Sequence, residues 1–242
     1  MQPMVNLALR AARNAGQDLV SRLDRFDMYQ SSDQEKAKFI ADCTIGLEKN
    51  VIFEMKKSLP DHNFHGRETG ENVTDERQPL WQVCVIDDIA NFRLGIPSFA
   101  ITICCLINGK VEHSVVTNPT NGDEFTASRG RGAQLNNRRI RCTPSTNIAD
   151  AILGVNYYNE NMTKAYDIRN IGSNALTICY VAANRFQGAL LKNVDEFSLN
   201  AASLVANEAG CLMTELSGQP RIQAPANIAV SGPRLLKALI AK

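Results

Sequence analysis

Residues 81–92, WQVCVIDDIANF, give the clearest structural signal in the chain. Residues 82–86 form a short apolar run, which predicts a buried β-strand. Two aspartates follow at once, Asp87 and Asp88, and their carboxylates suit either the cap of a turn or helix or the binding of a cation. The segment therefore predicts a strand that ends at an acidic loop, and the chemistry of that loop is the main functional question.

The composition indicates a globular protein with a substantial core. The chain has 242 residues, of which 44% are hydrophobic and 21% are charged, and its formal net charge is +1. This length accommodates one large domain or two tightly joined ones. The nearly neutral charge makes no general demand for nucleic acid or membrane as a partner. No apolar run approaches the ~20 residues that are needed to cross a bilayer.

The start of the chain and the cysteines favour a cytoplasmic location. Residues 1–16, MQPMVNLALRAARNAG, are amphipathic, contain arginines and lack the apolar core of a signal peptide. The chain has seven cysteines, none in a C-x-x-C pair, and several lie in apolar runs such as residues 101–107. Buried free thiols in a reducing compartment are the expected state of such cysteines.

The first sixty residues predict two amphipathic helices. Pro3 is suited to the first turn of a helix, and apolar residues recur at three- and four-residue spacing from Leu7 to Leu23. Ser32 and Glu35 are placed as a capping box for the second helix. The apolar face of this second helix consists of Ile40, Cys43, Leu47, Val51 and Met55.

The rest of the sequence predicts antiparallel strands, followed by alternating strands and helices. Asn108-Gly109 is a strong hairpin signal between the strand-like residues 98–107 and 111–117. Further strands are predicted near residues 124–127, 151–156, 187–191 and 226–230, and further helices near 173–184, 198–209 and 233–241. This alternation after an antiparallel section indicates a layered α/β architecture.

Residues 81–92 also fit a longer pattern, W-V-I-D-P-L-D-G-T-T-N-F, at four positions. The matching residues are Trp81, Asp87, Asn91 and Phe92. Other stretches match the same family in the same order, at residues 1–13, 125–136, 172–176, 180–183 and 208–210. On these motifs the chain resembles the inositol monophosphatase family, nearest its bacterial extragenic-suppressor (SuhB-type) branch.

The resemblance implies a fold, a reaction and a mode of assembly. The expected fold is a five-layered αβαβα sandwich, formed by a single domain of residues 1–242. Its N-terminal α+β half is expected at about residues 1–145 and its C-terminal α/β half at about residues 146–242. The family hydrolyses small phosphate monoesters with Mg²⁺ and usually forms homodimers. Its two or three Mg²⁺ ions require several carboxylate oxygens that converge on one point.

Most positions that would bind or use Mg²⁺ in this family carry a different residue here. The first glutamate of the family's T-E-E-S-G motif falls on Arg67, a cation that should repel Mg²⁺. The first metal-binding aspartate falls on Cys84, whose soft sulfur is a poor Mg²⁺ ligand. Four further positions lose their functional group: the acid and the threonine that place the attacking water, a third metal-binding carboxylate, and a substrate-orienting glutamate. They fall on Thr44, Ile89, Ser198 and Leu191, respectively.

Asp87 is the one principal carboxylate ligand that the chain retains. Candidate substitutes for the lost ligands are Glu68 and Asp88 and, if the alignment were shifted, Asp195 and Glu196. The matching residues on either side, Asn91-Phe92 and residues 208–210, argue against such a shift. The sequence therefore predicts a degenerate site with no intact catalytic group and no cofactor.

Three functional hypotheses follow from these substitutions. The first is a phosphatase fold that is kept as a binding or regulatory scaffold. The SuhB-type branch is associated with ribosomal-RNA transcription antitermination through the transcription factor NusA, a role that needs a surface and no hydrolysis. The second is a weak or altered Mg²⁺-dependent phosphatase that acts on inositol 1-phosphate or a related phosphate monoester. In the third, Arg67 contacts a phosphorylated ligand directly in place of Mg²⁺.

Two other groups of residues have both a functional and a structural interpretation. Five arginines fall within residues 129–141 and form either an RNA or phosphate surface or, as we prefer, the solvated rim of a hairpin. They are Arg129, Arg131, Arg138, Arg139 and Arg141. His62 and His65 lie three residues apart beside Asp61, as metal ligands can, but a solvated loop is the preferred interpretation.

Overall fold

The structure, a computed structural model, describes residues 2–26, 31–142, 147–158, 162 and 164–240. In this part of the chain two β-sheets alternate with three layers of helices. The order of the layers is helices, sheet, helices, sheet, helix, so the αβαβα class predicted from the sequence is confirmed.

Six α-helices lie within the described residues. They are α1 (Pro3–Arg25), α2 (Asp33–Lys56), α3 (Ile89–Arg93), α4 (Asn174–Ala182), α5 (Glu196–Glu208) and α6 (Pro233–Ile240). The predicted capping box of α2 forms, because Glu35 N donates to Ser32 Oγ at 3.3 Å and Ser32 N donates to Glu35 Oε2 at 2.7 Å. None of these helices is both long and apolar enough to cross a bilayer.

The first sheet has eight strands, in the order β2-β1-β3-β4-β5-β6-β7-β8. They are β1 (Asn63–Gly66), β2 (Gly70–Asn72), β3 (Leu80–Cys84), β4 (Ile101–Ile107), β5 (Lys110–Asn118), β6 (Asp123–Ser128), β7 (Gly132–Leu135) and β8 (Arg138–Ile140). The pair β1–β3 is parallel and every other neighbouring pair is antiparallel. Asn108 and Gly109 have positive φ and connect β4 to β5, which confirms the predicted hairpin.

The second sheet has five strands, in the order β10-β9-β11-β13-β12. They are β9 (Ile152–Val155), β10 (Asp167–Arg169), β11 (Gly188–Val194), β12 (Leu212–Glu215) and β13 (Ala226–Ser231). β9 runs parallel to β10 and β11, whereas β13 is antiparallel to β11 and β12. A 3-10 turn, Ile148–Asp150, leads into β9.

Each helix layer buries apolar side chains against a sheet. α1 and α2 cover one face of the first sheet, and α4 and α5 fill the space between the two sheets. α6 covers the outer face of the second sheet. The central layer therefore presents the N-terminal ends of α4 and α5 to the loops that follow the strands of the first sheet, and this arrangement positions the candidate site.

The strand predicted at residues 82–86 lies two residues earlier than the apolar run suggested. β3 pairs with β4 from Leu80, opposite Leu106, to Cys84, opposite Thr102. Val85 and Ile86 are buried but have left the sheet. The apolar run indicates which side chains are buried, and burial continues beyond Cys84, the last residue of β3 that pairs with β4.

Gly154 lies in β9 where α4 packs closely on the second sheet. A methyl group at this position would lie 2.4 Å from Thr177 Cγ2 and 2.9 Å from Phe186 Cδ2. Because packed carbon atoms stay at least ~3.5 Å apart, α4 or the strand would have to move. We expect Gly154→Ala to lower the free energy of unfolding by about 1–3 kcal/mol, measured by urea unfolding.

Gly46 provides a matched control, since a Cβ there would meet no heavy atom within 4 Å. Gly46 lies inside α2, where alanine favours the helix by about 0.5–1 kcal/mol over glycine. Gly46→Ala should therefore stabilise the protein. Equal or higher stability of Gly154→Ala relative to the wild type would contradict the described packing of α4 on β9.

Candidate functional site

The candidate site lies where β1 and β3 end next to each other. The two strands are parallel and Gly66 is paired with Val83, so their carboxyl ends meet at the same edge of the sheet. Arg67 N continues this pairing by donating to Val83 O at 2.9 Å. Arg67 follows β1 and Cys84 ends β3, so the two residues are neighbours in space. The family resemblance assigns both positions to ligands of one metal site.

The guanidinium of Arg67 lies between the ends of the two strands. Its Nη1 donates to the carbonyl oxygen of Asp87 at 3.3 Å and lies 3.6 Å from Cys84 Sγ. Its Nε lies 3.9 Å from Glu68 Oε1, and its side chain is 29% exposed. Burial opposes the positive charge, but the hydrogen bond to Cys84 and the nearby carboxylates of Asp195 and Glu68 outweigh burial and raise the pKa of Arg67. The site therefore contains a permanent positive charge.

Cys84 supplies no charge to balance Arg67. Its side chain is 1% exposed. Burial raises the pKa of the Cys84 thiol to about 12, although the nearby Arg67 lowers it. The thiol is protonated at neutral pH, and a neutral thiol is neither an effective nucleophile nor a ligand for Mg²⁺.

Asp87, the retained ligand position, is bound on both carboxylate oxygens by donors of the protein. Oδ1 accepts a hydrogen bond from Ala100 N at 2.6 Å, and Oδ2 accepts one from Ser173 Oγ. Burial raises the pKa of Asp87 to about 6, and these two hydrogen bonds only partly offset that effect. The carboxylate thus connects the end of β3 to the start of β4 and to the first turn of α4.

The other aspartates near the site cap helices. Asp88 Oδ1 accepts from Asn91 N at 2.8 Å and caps α3, which is the structural role that the sequence allowed for it. Asp195 caps α5, where its Oδ1 accepts from Phe197 N at 3.0 Å and from Ser198 N at 3.1 Å. Ser198 Oγ donates to Asp195 Oδ2 at 2.7 Å. Ser198, at the position of a lost carboxylate, is therefore a donor to a neighbouring cap.

Thr44, Ile89 and Glu68 lie together beside the site, at a mostly apolar cavity of about 350 Å³. The remaining lining residues are Ala37, Ile40, Ala41, Ile45 and Arg93. Thr44 Oγ1 donates to the carbonyl of Ala41 at 3.2 Å, within its own helix. Leu191 lies elsewhere, fully buried in the core between the sheets. Thr44 and Ile89, which replace the family's water-positioning residues, are thus grouped, while Leu191 lies in the hydrophobic core.

Glu48 is a site residue that the sequence analysis missed. Its Oε2 accepts three hydrogen bonds, from Glu68 N at 3.0 Å, Thr69 N at 3.0 Å and Thr69 Oγ1 at 3.1 Å. Glu48 is 1% exposed, and burial raises its pKa to about 6. Glu48 follows Thr44 by four residues, so both side chains lie on one face of α2. This spacing is the sequence signal that could have revealed Glu48.

The side chains at the family's ligand positions do not fit a divalent cation. Mg²⁺ requires several carboxylate oxygens that are free to converge on the ion. Here the positions carry a guanidinium, a neutral thiol and a hydroxyl, and both oxygens of Asp87 already accept hydrogen bonds. In the part of the chain that the structure describes, no group of three or more His, Cys, Asp or Glu side chains could hold a metal ion.

His62 and His65 have separate structural contacts. Trp81 Nε1 donates to His62 Nδ1 at 2.9 Å. The His65 ring packs edge-on against Phe197, with 4.9 Å between ring centroids. The prediction of a solvated loop was wrong for residues 63–65, because they pair with β2 and β3 as part of β1. The Asn63 side chain is buried: its Oδ1 accepts from Thr74 N at 2.8 Å and its Nδ2 donates to Asp75 O at 2.7 Å.

The arginines of residues 129–141 lie on the exposed edge of the first sheet. Arg129 Nε pairs with Glu112 Oε1 at 2.9 Å. The other four are exposed and form no ion pair with another described residue: Arg131, Arg138, Arg139 and Arg141. Glu208 holds the turn before β7, because Gly130 N and Gly132 N each donate to its carboxylate at 2.7 Å. This edge is an exposed, positively charged surface.

Comparisons with known proteins agree with one another. The family model described as "Inositol monophosphatase family" matches residues 1–242. The Nus factor SuhB of Pseudomonas aeruginosa is 31% identical over 258 residues, which cover 99% of this chain and 95% of the relative. The Nus factor SuhB of Escherichia coli is 30% identical over 255 residues, with 100% and 96% covered.

Solved structures give the same result for the fold. The extragenic suppressor protein suhB from Bartonella henselae matches with a TM-score of 0.88 and 28% identity, covering 99% of this chain and 98% of that chain. The Thermotoga maritima IMPase matches with a TM-score of 0.84 and 22% identity, covering 99% and 96%. The backbone of this chain therefore follows theirs over almost its whole length.

The buried Glu48 carboxyl should make the stability of the fold depend on pH. Its folded pKa of about 6 exceeds its ordinary value of 4.5, so its contribution is fully present below pH 4.5 and is lost as pH rises through 6. Glu48→Gln removes this titration. We expect the stability of Glu48→Gln relative to wild type to increase by about 2 kcal/mol between pH 4 and pH 7.5, in urea unfolding.

Glu76→Gln is the control for this titration, because the Glu76 side chain lies in an exposed loop outside the site. Its stability difference from the wild type should stay constant over the same pH range. A constant difference for Glu48→Gln as well would show that Glu48 titrates normally in the folded protein.

Proposed function

The chain belongs to the inositol monophosphatase family, and we propose that it is a SuhB-type member that has lost metal-dependent phosphatase activity and acts as a binding or regulatory scaffold. The observation that carries this proposal is the position of the Arg67 guanidinium. It lies against Cys84 and Asp87, two positions at which the family resemblance implies metal ligands. The fold is kept while the chemistry of its site is replaced.

The charge of Arg67 is large enough to decide whether Mg²⁺ binds. A divalent ion about 4 Å from a guanidinium is repelled by about 8 kcal/mol at an effective dielectric constant near 20. Two carboxylates that could offset this repulsion have other partners, since Asp87 binds Ala100 and Ser173 and Asp195 caps α5. The alternative of a rebuilt Mg²⁺ phosphatase would require these carboxylates to bind the ion while they also keep their hydrogen bonds within the protein, and it would require Arg67 to move away.

We expect no Mg²⁺-stimulated release of phosphate from inositol 1-phosphate by the wild-type protein. Restoring the family's residues with Arg67→Glu, Cys84→Asp, Ile89→Thr and Ser198→Asp together should give measurable release. Each single reversion should give almost none, because the ligands and the attacking water act as one unit. A colorimetric phosphate assay with Mg²⁺ or EDTA measures both results.

Arg77→Glu is the matched control for the reversal of charge, because the Arg77 side chain is 89% exposed and lies outside the site. It should leave the assay at background. Phosphate release by the wild type that depends on Mg²⁺ and disappears in Asp87→Asn would establish the alternative, a weak phosphatase. Activity gained from one reversion alone would contradict the assignment of residues to the family's ligand positions.

The proposed scaffold role is that of a Nus factor in ribosomal-RNA transcription antitermination, with NusA as a partner and a homodimer as the assembly. It is supported by the relatives at 30–31% identity, which are called Nus factor SuhB. The exposed arginine edge adds a surface that suits an anionic partner, either an acidic protein segment or RNA. Direct contact of Arg67 with phosphate remains a separate prediction, which thermal shift with inositol phosphates in EDTA tests.

We expect the protein to retain the C-terminal region of NusA in a pull-down at tens of micromolar. Asp87→Asn should retain it equally, because the scaffold role requires no hydrolysis. Arg138→Glu combined with Arg139→Glu should weaken retention if the arginine edge forms the contact. No detectable association of the wild type at this concentration would contradict the NusA assignment, whatever the phosphatase assay shows.

A further inference from the structure

Two cysteines from distant parts of the chain meet beneath the arginine edge. Cys142 follows β8, and Cys211 lies between α5 and β12. Cys142 N donates to Ala209 O at 2.8 Å, which fixes the two segments side by side. The side chains of Cys142 and Cys211 pack into the same hydrophobic core between the two sheets, and each thiol shifts the pKa of the other.

The backbone around this contact is held by several hydrogen bonds. α5 ends at Gly210, whose φ of +88° is the left-handed conformation that glycine adopts most readily. Gly210 N donates to Asn207 O and Cys211 N donates to Ala206 O, both at 2.9 Å. Cys211 is thus placed by the helix end, and its position requires no strained segment.

The two thiols differ in access to solvent. Cys211 is 3% exposed, whereas Cys142 is the one cysteine of the seven that is only half-buried. The other five are buried: Cys43, Cys84, Cys104, Cys105 and Cys179. A soluble oxidant therefore reaches Cys142 first and finds a second thiol directly behind it.

We propose that Cys142 and Cys211 are a redox-sensitive pair that a peroxide converts into an internal disulfide. The Cys142 thiol loses its proton, the thiolate attacks one oxygen of hydrogen peroxide, and the O–O bond breaks. The leaving hydroxide takes up that proton, so Cys142 sulfenic acid and water form. The Cys211 sulfur then attacks the Cys142 sulfur, the S–O bond breaks, and a second water leaves as the S–S bond forms. The two thiols lose two electrons and two protons, and the peroxide gains them.

The acid–base properties of the pair agree with these roles. The hydrogen bond from Cys211 lowers the pKa of Cys142, although burial raises it. The same contact and burial raise the pKa of Cys211. The half-buried sulfur of Cys142 is therefore the better nucleophile toward peroxide, and the buried sulfur of Cys211 is the resolving thiol.

The disulfide would connect the two sheets through a covalent bond. Cys142 leads away from the edge strand β8 of the first sheet, and Cys211 leads into β12 of the second. Glu208, three residues before Cys211, also holds the turn between β6 and β7. Oxidation would therefore fix the base of the arginine edge, and this inference holds whether or not the proposed scaffold role is correct.

The test treats the reduced, folded full chain with stoichiometric hydrogen peroxide and then blocks free thiols with iodoacetamide. We expect a peptide cross-linked between Cys142 and Cys211, lighter by two hydrogen atoms than its parts, in a non-reduced digest. Dithiothreitol should remove the cross-link, and both cysteines should then be alkylated. The wild-type mapping depends on no substitution, so it stands even where a variant folds poorly.

Cys142→Ser and Cys142→Ala should both lose the cross-link, whereas Cys43→Ser should keep it, because Cys43 is buried between α1, α2 and the first sheet. Three results would overturn the proposal. They are oxidation of Cys142 beyond sulfenic acid without any cross-link, a cross-link of Cys211 to Cys179, and a Cys142–Cys211 disulfide that forms only in denaturant.

Discussion

The contact of the Arg67 guanidinium with the end of β3 is the constraint on which the chemistry of the site depends. Arg67 continues the β1–β3 pairing through its backbone, while its side chain bonds to the Asp87 carbonyl and lies against Cys84. The family resemblance implies a glutamate at this position, so the local charge differs by two units. A pocket that would hold cations through anionic ligands instead contains a cation of its own.

The carboxylates around Arg67 accept hydrogen bonds from backbone amides of the protein. Glu48 binds the amides of Glu68 and Thr69, Asp87 binds Ala100 N, and Asp195 caps α5. These hydrogen bonds tie the loops around the site directly to neighbouring parts of the protein. Burial raises the pKa values of Glu48 and Asp87 to about 6, so both carboxyl groups become protonated as the pH falls below 6.

Short-range sequence signals predicted the elements that depend on neighbouring residues. The capping box at Ser32, the turn at Asn108-Gly109 and the alternation of strands and helices after residue 150 each have a local cause. The short strand β2 was missed because its three residues are exposed and carry no apolar pattern. Glu48 was missed because its partners lie twenty residues away along the chain. The identity of the site residues followed from motif matches, but their hydrogen bonds required the three-dimensional arrangement.

Anomalous diffraction from crystals soaked with Mn²⁺ and phosphate is the most direct measurement of the central claim. Mn²⁺ takes the same oxygen ligands as Mg²⁺ and can be located by its anomalous signal. The account predicts no ion within bonding distance of Asp87 and an Arg67 side chain that remains against Cys84. Two ordered ions bridged by phosphate, with Arg67 displaced and the Asp87 carboxylate coordinated to metal, would contradict it.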